Sequence, residues 1–146
     1  MPVSGRSEVT TMPRRAMWRL LSWALFGAFL VAAVLNMTET AAGFATNHLA
    51  DLVGPAWLYI VFRGLAEPEK RSRLGRALGA TPERAAMILF IGSSVTEIAQ
   101  IYWPTGVFAG RFDPLDIVAF AIGILPLYAA DKVLSSTVRV PHPAPK

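Results

Sequence analysis

Four long apolar segments constrain this chain more than any other feature, because each approaches the length that crosses a bilayer. They cover about residues 18–35, 41–62, 85–103 and 115–130. A hydrocarbon core ~30 Å thick needs about 20 apolar residues in a helix. Lipid offers backbone groups no hydrogen-bond partners, so each segment must be helical, and four strands could not close into a barrel. The sequence therefore predicts an all-α, polytopic protein with four transmembrane helices.

The composition agrees with this prediction. Hydrophobic residues make up 53% of the 146 residues and charged residues 16%, with a mean hydropathy of +0.43, on the apolar side of ordinary soluble domains. The chain contains no cysteine, which excludes disulfides and thiolate chemistry. It shows no phosphate-binding loop, nucleophile elbow or Cys/His metal motif, so we expect no cofactor and do not favour an enzymatic role.

The basic residues predict the orientation of the chain. Of its 14 Lys and Arg residues, all except Arg111 fall in the two tails or in the loop between the second and third segments. Because cytoplasmic segments of membrane proteins are enriched in Lys and Arg, we expect both termini and this loop in the cytoplasm. The predicted organisation is a basic tail at 1–17, one transmembrane domain at 18–134 with its loop at 63–84, and a proline-rich tail at 135–146.

Two other interpretations of the basic segments are weaker. The first apolar segment follows arginines, as in a signal peptide, but its apolar run is long and no small-residue cleavage site follows at once. The basic loop could bind nucleic acid or anionic lipid headgroups, yet no aromatic residues interleave with its cations. We therefore expect an uncleaved first span, the lipid bilayer as a partner, no nucleic acid, and a solvated loop.

The acidic residues divide into two sets. One set lies in the predicted cytoplasmic tails and loop, where solvated pairing with arginines accounts for Glu8, Glu67, Glu69, Glu83 and Asp131. The other set lies in the outer halves of the spans or in outer loops, and consists of Glu39, Asp51, Glu97, Asp113 and Asp116. A carboxylate in hydrocarbon costs ~2.5–3.5 kcal/mol on insertion scales. Asp51 and Glu97 should therefore point into the bundle interior, at similar depth.

Spacing along the helices places polar partners beside both of these carboxylates. Asn47 lies four residues before Asp51, and Gln100 lies three after Glu97, so each pair shares one helix face. Pro55 cannot donate to the carbonyl of Asp51, four residues earlier, which leaves an oxygen suited to a cation or a water. Each polar pair can thus point at one cavity.

The stretch GRFDPLDIVAF predicts the start of the fourth helix. Asp113 suits the N-cap and Pro114 the first helical position. Asp116 falls in the first turn, where a carboxylate favours the helix dipole, or it belongs to the site instead. Arg111, the lone outer cation, is predicted to clamp one carboxylate or an anionic ligand such as phosphate.

Small and aromatic residues are assigned to packing. Gly92 and Gly123 should allow close contact between helices. Trp18 and Tyr59 are interpreted as interfacial or packing aromatics outside any site.

The last third of the chain resembles VanZ-like membrane proteins. That family pairs Glu-x-x-Gln in one helix with a Gly-Arg, an Asp and a later Asp-and-Gly pattern that opens the next. The corresponding residues here are Glu97, Gln100, Gly110, Arg111, Asp113, Asp116 and Gly123, in TEIAQ and GRFDPLDIVAFAIG. NHLADLVGP is similar to an Asn-x-x-x-Asp element of short bacterial membrane proteins of the same type. Phe120 stands where the family commonly has asparagine, so a ligand contact by that amide is lost.

The resemblance implies a small multi-pass protein of the bacterial inner, or cytoplasmic, membrane. The best-known member of the family is linked to low-level resistance to teicoplanin, so a relation to glycopeptide resistance is one expectation. The family has no generally established biochemical activity, and its name supplies no reaction.

Together these residues predict a polar pocket that opens to the outer face and binds a cell-envelope ligand or a cation. Its expected ligand-binding residues are Asn47, His48, Asp51, Glu97, Gln100, Arg111, Asp113 and Asp116. Candidate metal ligands are Asp51, Glu97 and Asp116. His48 is equally consistent with a wet surface residue.

Three other functions stay open. An accessory subunit of a membrane complex would use these polar residues only to tie helices together. A small cation- or proton-coupled transporter would need a homo-oligomer, because one chain shows no inverted repeat. An enzyme would use Glu97 and Asp116 as an acid/base pair, without the support of a nucleophile or metal motif.

Overall fold

The computed structural model describes residues 13–38, 44–103 and 111–136. Five α-helices follow one another: α1 (Arg14–Met37), α2 (Phe44–Arg63), α3 (Arg73–Leu78), α4 (Pro82–Tyr102) and α5 (Pro114–Ser136). A 3₁₀ turn at Pro68–Lys70 precedes α3. No strand occurs in these three ranges, and the predicted all-α fold is confirmed for them.

Polar side chains begin the helices that follow loops. The Ser72 hydroxyl accepts from the Gly75 N–H (2.9 Å) at the start of α3, and the Thr81 hydroxyl accepts from the Arg84 N–H (3.2 Å) at the start of α4. Both residues satisfy backbone donors that a helix leaves unpaired in its first turn. The helices therefore start where local sequence favours a cap.

The end of α2 depends on a glycine. Gly64 has φ of 63°, a left-handed conformation that residues with a Cβ rarely adopt. Its N–H donates to the Val61 carbonyl (3.0 Å) and the Leu65 N–H donates to the Ile60 carbonyl (3.1 Å). This pattern closes the helix and turns the chain into the basic loop.

Helix α2 lies in the middle of the bundle, in contact with α1, α4 and α5, and α4 also packs against α5. Its buried residues include Val53, Ala56, Tyr59 and Ile60. Tyr59 forms a core cluster with Ala85 and Leu89 of α4 and Ile124 of α5. The neighbours of α2 thus cover much of its surface.

Helices α2 and α5 approach closely at Gly123. A Cβ atom there would lie 2.1 Å from the Leu52 carbonyl oxygen of α2, so only glycine allows α5 this near. The prediction that Gly123 permits close helix contact is confirmed. The same prediction for Gly92 is wrong, because a Cβ on Gly92 would meet nothing within 4 Å.

Three helices within the described ranges are long and apolar enough to cross a membrane: α1 over 14–36, α4 and α5. They leave large apolar side chains exposed, among them Val31, Val95 and Leu125. Helix α2, whose described residues include the polar His48 and Asp51, is not one of these three. The predicted spans at 18–35, 85–103 and 115–130 are therefore supported, and the span at 41–62 stays a prediction.

The helices extend beyond the predicted apolar segments. Helix α1 begins at Arg14 and α5 continues to Ser136, although the apolar segments were placed at 18–35 and 115–130. Hydropathy marks the stretch that suits hydrocarbon, whereas a helix continues through charged residues until its backbone is capped. The predicted loop at 63–84 likewise contains the short helix α3.

The two ends of the bundle differ in charge. At one end, termed the basic end, the Arg14 guanidinium donates to the Leu134 carbonyl (3.0 Å) and Arg63 donates to the Gly79 carbonyl (2.7 Å). The start of α1, the ends of α2 and α5 and the loop before α4 therefore meet there. The opposite end, termed the acidic end, holds Asp51, Glu97, Asp113 and Asp116.

Candidate functional site at the acidic end

A pocket of about 270 Å³ lies at the acidic end, between α2 and α4. Asp51 and Glu97 both line it, together with Gln100 of α4. Phe29 and Leu58 contribute part of its apolar wall. The structure thus brings together the two carboxylates that the insertion cost predicts to face inward.

Glu97 is tied to the start of α5. Its side chain is buried, with 4% exposed, and its Oε1 atom accepts from the Asp113 N–H (2.8 Å). The Gln100 Nε2 atom donates to its Oε2 atom (3.2 Å), as the three-residue spacing predicts. Both carboxylate oxygens therefore have neutral donors, and neither has a cationic partner among the described residues.

Asp51 lies where other carboxylates act on it. Asp116 and Glu97 are close enough for their negative charges to repel that of Asp51, while His48 is close enough to attract it. Pro55, which also lines the pocket, has no N–H to donate to the Asp51 carbonyl. A cation or a shared proton would relieve the repulsion between these groups.

His48 and Asp116 join α2 to α5. The His48 Nδ1 atom lies 2.5 Å from the Asp116 Oδ1 atom, and each side chain is 14% exposed. His48 is thus a partly buried member of the acidic cluster. Asp116 faces α2, while Asp113 caps α5 by accepting from the Leu115 N–H (2.9 Å), so the predicted cap is confirmed.

Among the described residues predicted for the site, four do not line the pocket: His48, Arg111, Asp113 and Asp116. Arg111 is exposed and forms no ion pair with any described carboxylate. Asn47 belongs to α2, but its side chain lies outside the described residues, as does all of Glu39 and Gly110. The guanidinium clamp therefore has no counterpart in the described contacts.

Phe120 closes the pocket with an apolar surface. Its ring is buried, with 4% exposed, and it lines the cavity beside Asp51 and Glu97. An asparagine there, as in the VanZ-like pattern, would present an amide to the pocket. With phenylalanine there, the polar groups that line the pocket are the two carboxylates, the Gln100 amide, and the hydroxyls of Ser93 and Thr96.

The candidate metal ligands do not form a recognisable metal centre. Among the residues that the structure describes, no group of three or more His, Cys, Asp or Glu side chains has an arrangement that could hold a metal ion. Asp51, Glu97 and Asp116 are neighbours without being such a group.

A second buried carboxylate lies at the basic end, at Asp131. Its side chain is 0% exposed. Its Oδ2 atom accepts from the Tyr59 hydroxyl (3.0 Å) and from the Arg63 Nε atom (2.6 Å), and its Oδ1 atom accepts from the Ser135 hydroxyl (3.0 Å). The Arg14 guanidinium approaches to 3.9 Å. The prediction that Asp131 is solvated is wrong, and Tyr59 does more than pack.

Sequence periodicity carried a signal for this second site. Asp131 follows Ile124 by seven residues, and Arg63 follows Tyr59 by four, so each pair lies on one helix face. Ile124 and Tyr59 are both core residues. The apolar pattern thus placed Asp131 and Arg63 on the inward faces of their helices. Asp131 was predicted to be solvated instead, because it lies near the end of a span, on the side where the arginines lie.

No protein-family model matches this chain, and no match was found among curated protein sequences or solved structures. The resemblance to VanZ-like proteins therefore depends on the motif residues themselves.

Proposed function

We propose that this chain is a VanZ-like, four-helix protein of the bacterial inner membrane, and that its acidic-end pocket binds a cation or the cationic group of a cell-envelope ligand. The observation that carries the proposal is that Asp51 and Glu97 line one pocket. Of the described residues lining that pocket, none is Lys, Arg or His. Negative charge in a membrane-embedded pocket has to be balanced by a bound cation or a proton.

The lining favours a cation over an anion. Two carboxylates, the Gln100 amide and the Ser93 and Thr96 hydroxyls supply oxygen atoms, which are the ligands that alkali and alkaline-earth cations prefer. The apolar remainder of the wall would suit the carbon atoms of an amine-bearing ligand. Arg111 is exposed and would act at the rim of the pocket.

The proposed orientation places the acidic end outside and both termini in the cytoplasm. The basic end gathers Arg14, Arg63 and the basic loop, which is the arrangement expected of a cytoplasmic face. In this orientation α2 also spans the membrane, with His48 and Asp51 partly buried in the bundle. The pocket would then face the cell envelope, where a relation to glycopeptide resistance becomes a testable expectation.

A second candidate is an accessory subunit whose acidic residues tie helices together. One observation favours it: both oxygens of Glu97 already accept hydrogen bonds, from Asp113 and Gln100. In that case Glu97 would stabilise the α4–α5 contact without selecting a ligand. A substitution of Glu97 that lowers stability and leaves the response to ligands unchanged would identify this role.

The test compares Glu97→Gln and Asp51→Asn with Glu83→Gln in purified protein. Glu83 lies on α4 but at the basic end, where it pairs with Lys132 (3.0 Å), so its substitution controls for a lost charge on the same helix. Thermal unfolding is followed while Na⁺, K⁺, Ca²⁺, Mg²⁺ or a small alkylamine is titrated at constant ionic strength. Binding to the folded state raises stability by about 2.7 kcal/mol when the ligand reaches 100 times its dissociation constant.

We expect at least one of these cations to raise the unfolding temperature of the wild type and of Glu83→Gln, and to have no effect on Glu97→Gln or Asp51→Asn. If all four proteins respond alike, the pocket is not the binding site. If Glu97→Gln only lowers stability and no cation acts on the wild type, the accessory role stands instead. Cation flux in proteoliposomes would separate a carrier from a receptor.

A further inference from the structure

A second pocket, of about 450 Å³, lies at the basic end between α1, α2 and the loop that follows α2. We call it the basic-end pocket. Its lining includes Arg19, Trp23 and Phe26 from α1, Trp57 from α2, and Lys70 and Arg71 from the loop. It shares none of its lining residues with the acidic-end pocket.

The lining of the basic-end pocket combines cationic and aromatic residues. Three cations line it: Arg19, Lys70 and Arg71. One carboxylate, Glu67, accompanies them and pairs with Lys70 (2.9 Å) and more distantly with Arg19 (4.0 Å). The balance of charge around the pocket is therefore positive.

The aromatic residues of the pocket form a continuous row. The Phe26 ring lies 5.0 Å from the Trp57 ring and 6.2 Å from the Trp23 ring, centroid to centroid. Trp23 is 65% exposed, and Leu20, three residues earlier on α1, is 58% exposed. Tryptophan is enriched where membrane proteins meet the headgroup region. The pocket is thus open to the apolar surface that a bilayer would cover.

Arg71 has unused capacity to bind an anion. Its Nη2 atom donates to the Gly75 carbonyl (2.9 Å), but its buried Nε atom has no hydrogen-bond partner among the described residues. Burial, together with the nearby charges of Arg63 and Arg76, lowers the pKa of the Arg71 guanidinium. A phosphate held against the guanidinium would offset that repulsion.

We propose that the basic-end pocket binds one anionic phospholipid from the adjoining leaflet. Its phosphate lies against Arg71 and Lys70, and an acyl chain follows the row of Trp23, Phe26 and Trp57. A soluble phosphate would use the cations but not the aromatic row, whereas a lipid uses both. This site does not depend on cation binding at the acidic end, although it requires the protein to lie in a membrane.

Native mass spectrometry of the protein released from nanodiscs tests the headgroup half of the site. Phosphatidylglycerol and phosphatidylcholine with identical acyl chains compete in equal amounts. We expect the wild type to retain one phosphatidylglycerol in preference to phosphatidylcholine. Lys70→Gln should lower the preference about fivefold, which is typical of one cation beside an anionic surface.

Arg73→Gln is the matched control, because Arg73 is an exposed cation of the same loop that does not line the pocket. Its lipid preference should equal that of the wild type. Arg71→Gln should lose the preference further, but it also removes the bond to Gly75, so Lys70→Gln decides the outcome. Equal retention of both lipids by the wild type, or equal effects of Lys70→Gln and Arg73→Gln, would overturn the proposal.

Two further comparisons distinguish a lipid from a free phosphate. Trp23→Ala should weaken phosphatidylglycerol retention, while Trp103→Ala, which removes a comparably exposed tryptophan outside the pocket, should not. Inorganic phosphate or glycerol phosphate at millimolar concentration should fail to displace the lipid. Displacement by either anion, or an unchanged lipid signal in Trp23→Ala, would show that the pocket takes a phosphate without its chain.

Discussion

The two ends of this bundle each bury a carboxylate, but in different surroundings. Asp131, at the basic end, accepts from the Arg63 guanidinium, the Tyr59 hydroxyl and the Ser135 hydroxyl. Glu97, at the acidic end, has only neutral donors among the described residues and shares its pocket with Asp51. A buried charge whose partners are complete makes each partner costly to remove, whereas charges of like sign around a pocket leave room for a ligand.

The comparison predicts that Asp131→Ala has the largest effect on stability. The substitution leaves the partly buried Arg63 guanidinium without its main carboxylate partner and the Tyr59 hydroxyl without an acceptor. Removal of one member of a buried pair costs about 3–5 kcal/mol. Unfolding of purified protein in mixed micelles should show this loss.

Arg63 supplies the control for this prediction. If the partnership explains the cost, Asp131→Ala combined with Arg63→Ala should be less destabilising than the sum of the two single changes, because no uncompensated charge then remains. Additive losses would show that the Asp131–Arg63 pair is not the source of the cost. In that case Asp131 and Glu97 would no longer differ in the energetic role of a cationic partner.

A smaller loss is expected from Gly123→Ala. The new Cβ would lie against the Leu52 carbonyl oxygen, at a separation that no real contact allows, so α5 must move away from α2. Overpacking of this kind costs about 1–3 kcal/mol, measurable by the same unfolding assay. Because Leu52 adjoins Asp51, the change should also weaken any cation response of the acidic-end pocket.

Gly92→Ala is the matched control, since its Cβ would meet nothing within 4 Å. Because alanine has a higher helix propensity than glycine, Gly92→Ala should leave the free energy of unfolding unchanged or raise it by up to about 1 kcal/mol. A destabilisation equal to that of Gly123→Ala would mean that the α2–α5 approach is not the constraint.

The smallest effect on stability is expected from Glu97→Gln. The glutamine oxygen can still accept from the Asp113 N–H, and loss of one negative charge relieves repulsion with Asp51. A net change within about 1 kcal/mol is expected, the typical worth of one hydrogen bond. A loss as large as that of Asp131→Ala would show that Glu97 is a structural residue and would remove the difference between the two ends.

Much of the local structure at the acidic end could be predicted from short-range spacing. The cap at Asp113 and the pairing of Glu97 with Gln100 depend on residues two or three positions apart, where helix geometry decides which groups meet. The inward position of Asp51 and Glu97 followed from the cost of a charge in hydrocarbon. The ligand-binding role of these residues stays a prediction.

Contacts between different helices could not be predicted from spacing along one helix. His48 could not be assigned, because its contact with Asp116 joins residues 68 positions apart. Asp131 was placed in solvent because its partners Tyr59 and Arg63 lie on another helix, 72 and 68 positions away in the sequence. Arg111 was expected to clamp a carboxylate, yet it is exposed and has no such partner among the described residues.

By itself the sequence determined that the described chain is helical, that α1, α4 and α5 suit hydrocarbon, and that α5 starts after a cap at Asp113. Those properties depend on composition and on groups within one or two turns of each other. Tertiary structure decided which carboxylate is enclosed by donors and which faces a pocket, because that choice depends on the rotation of each helix and on how near Gly123 lets α5 approach α2. Such distances between helices are set by packing along the whole contact, and no local pattern encodes them.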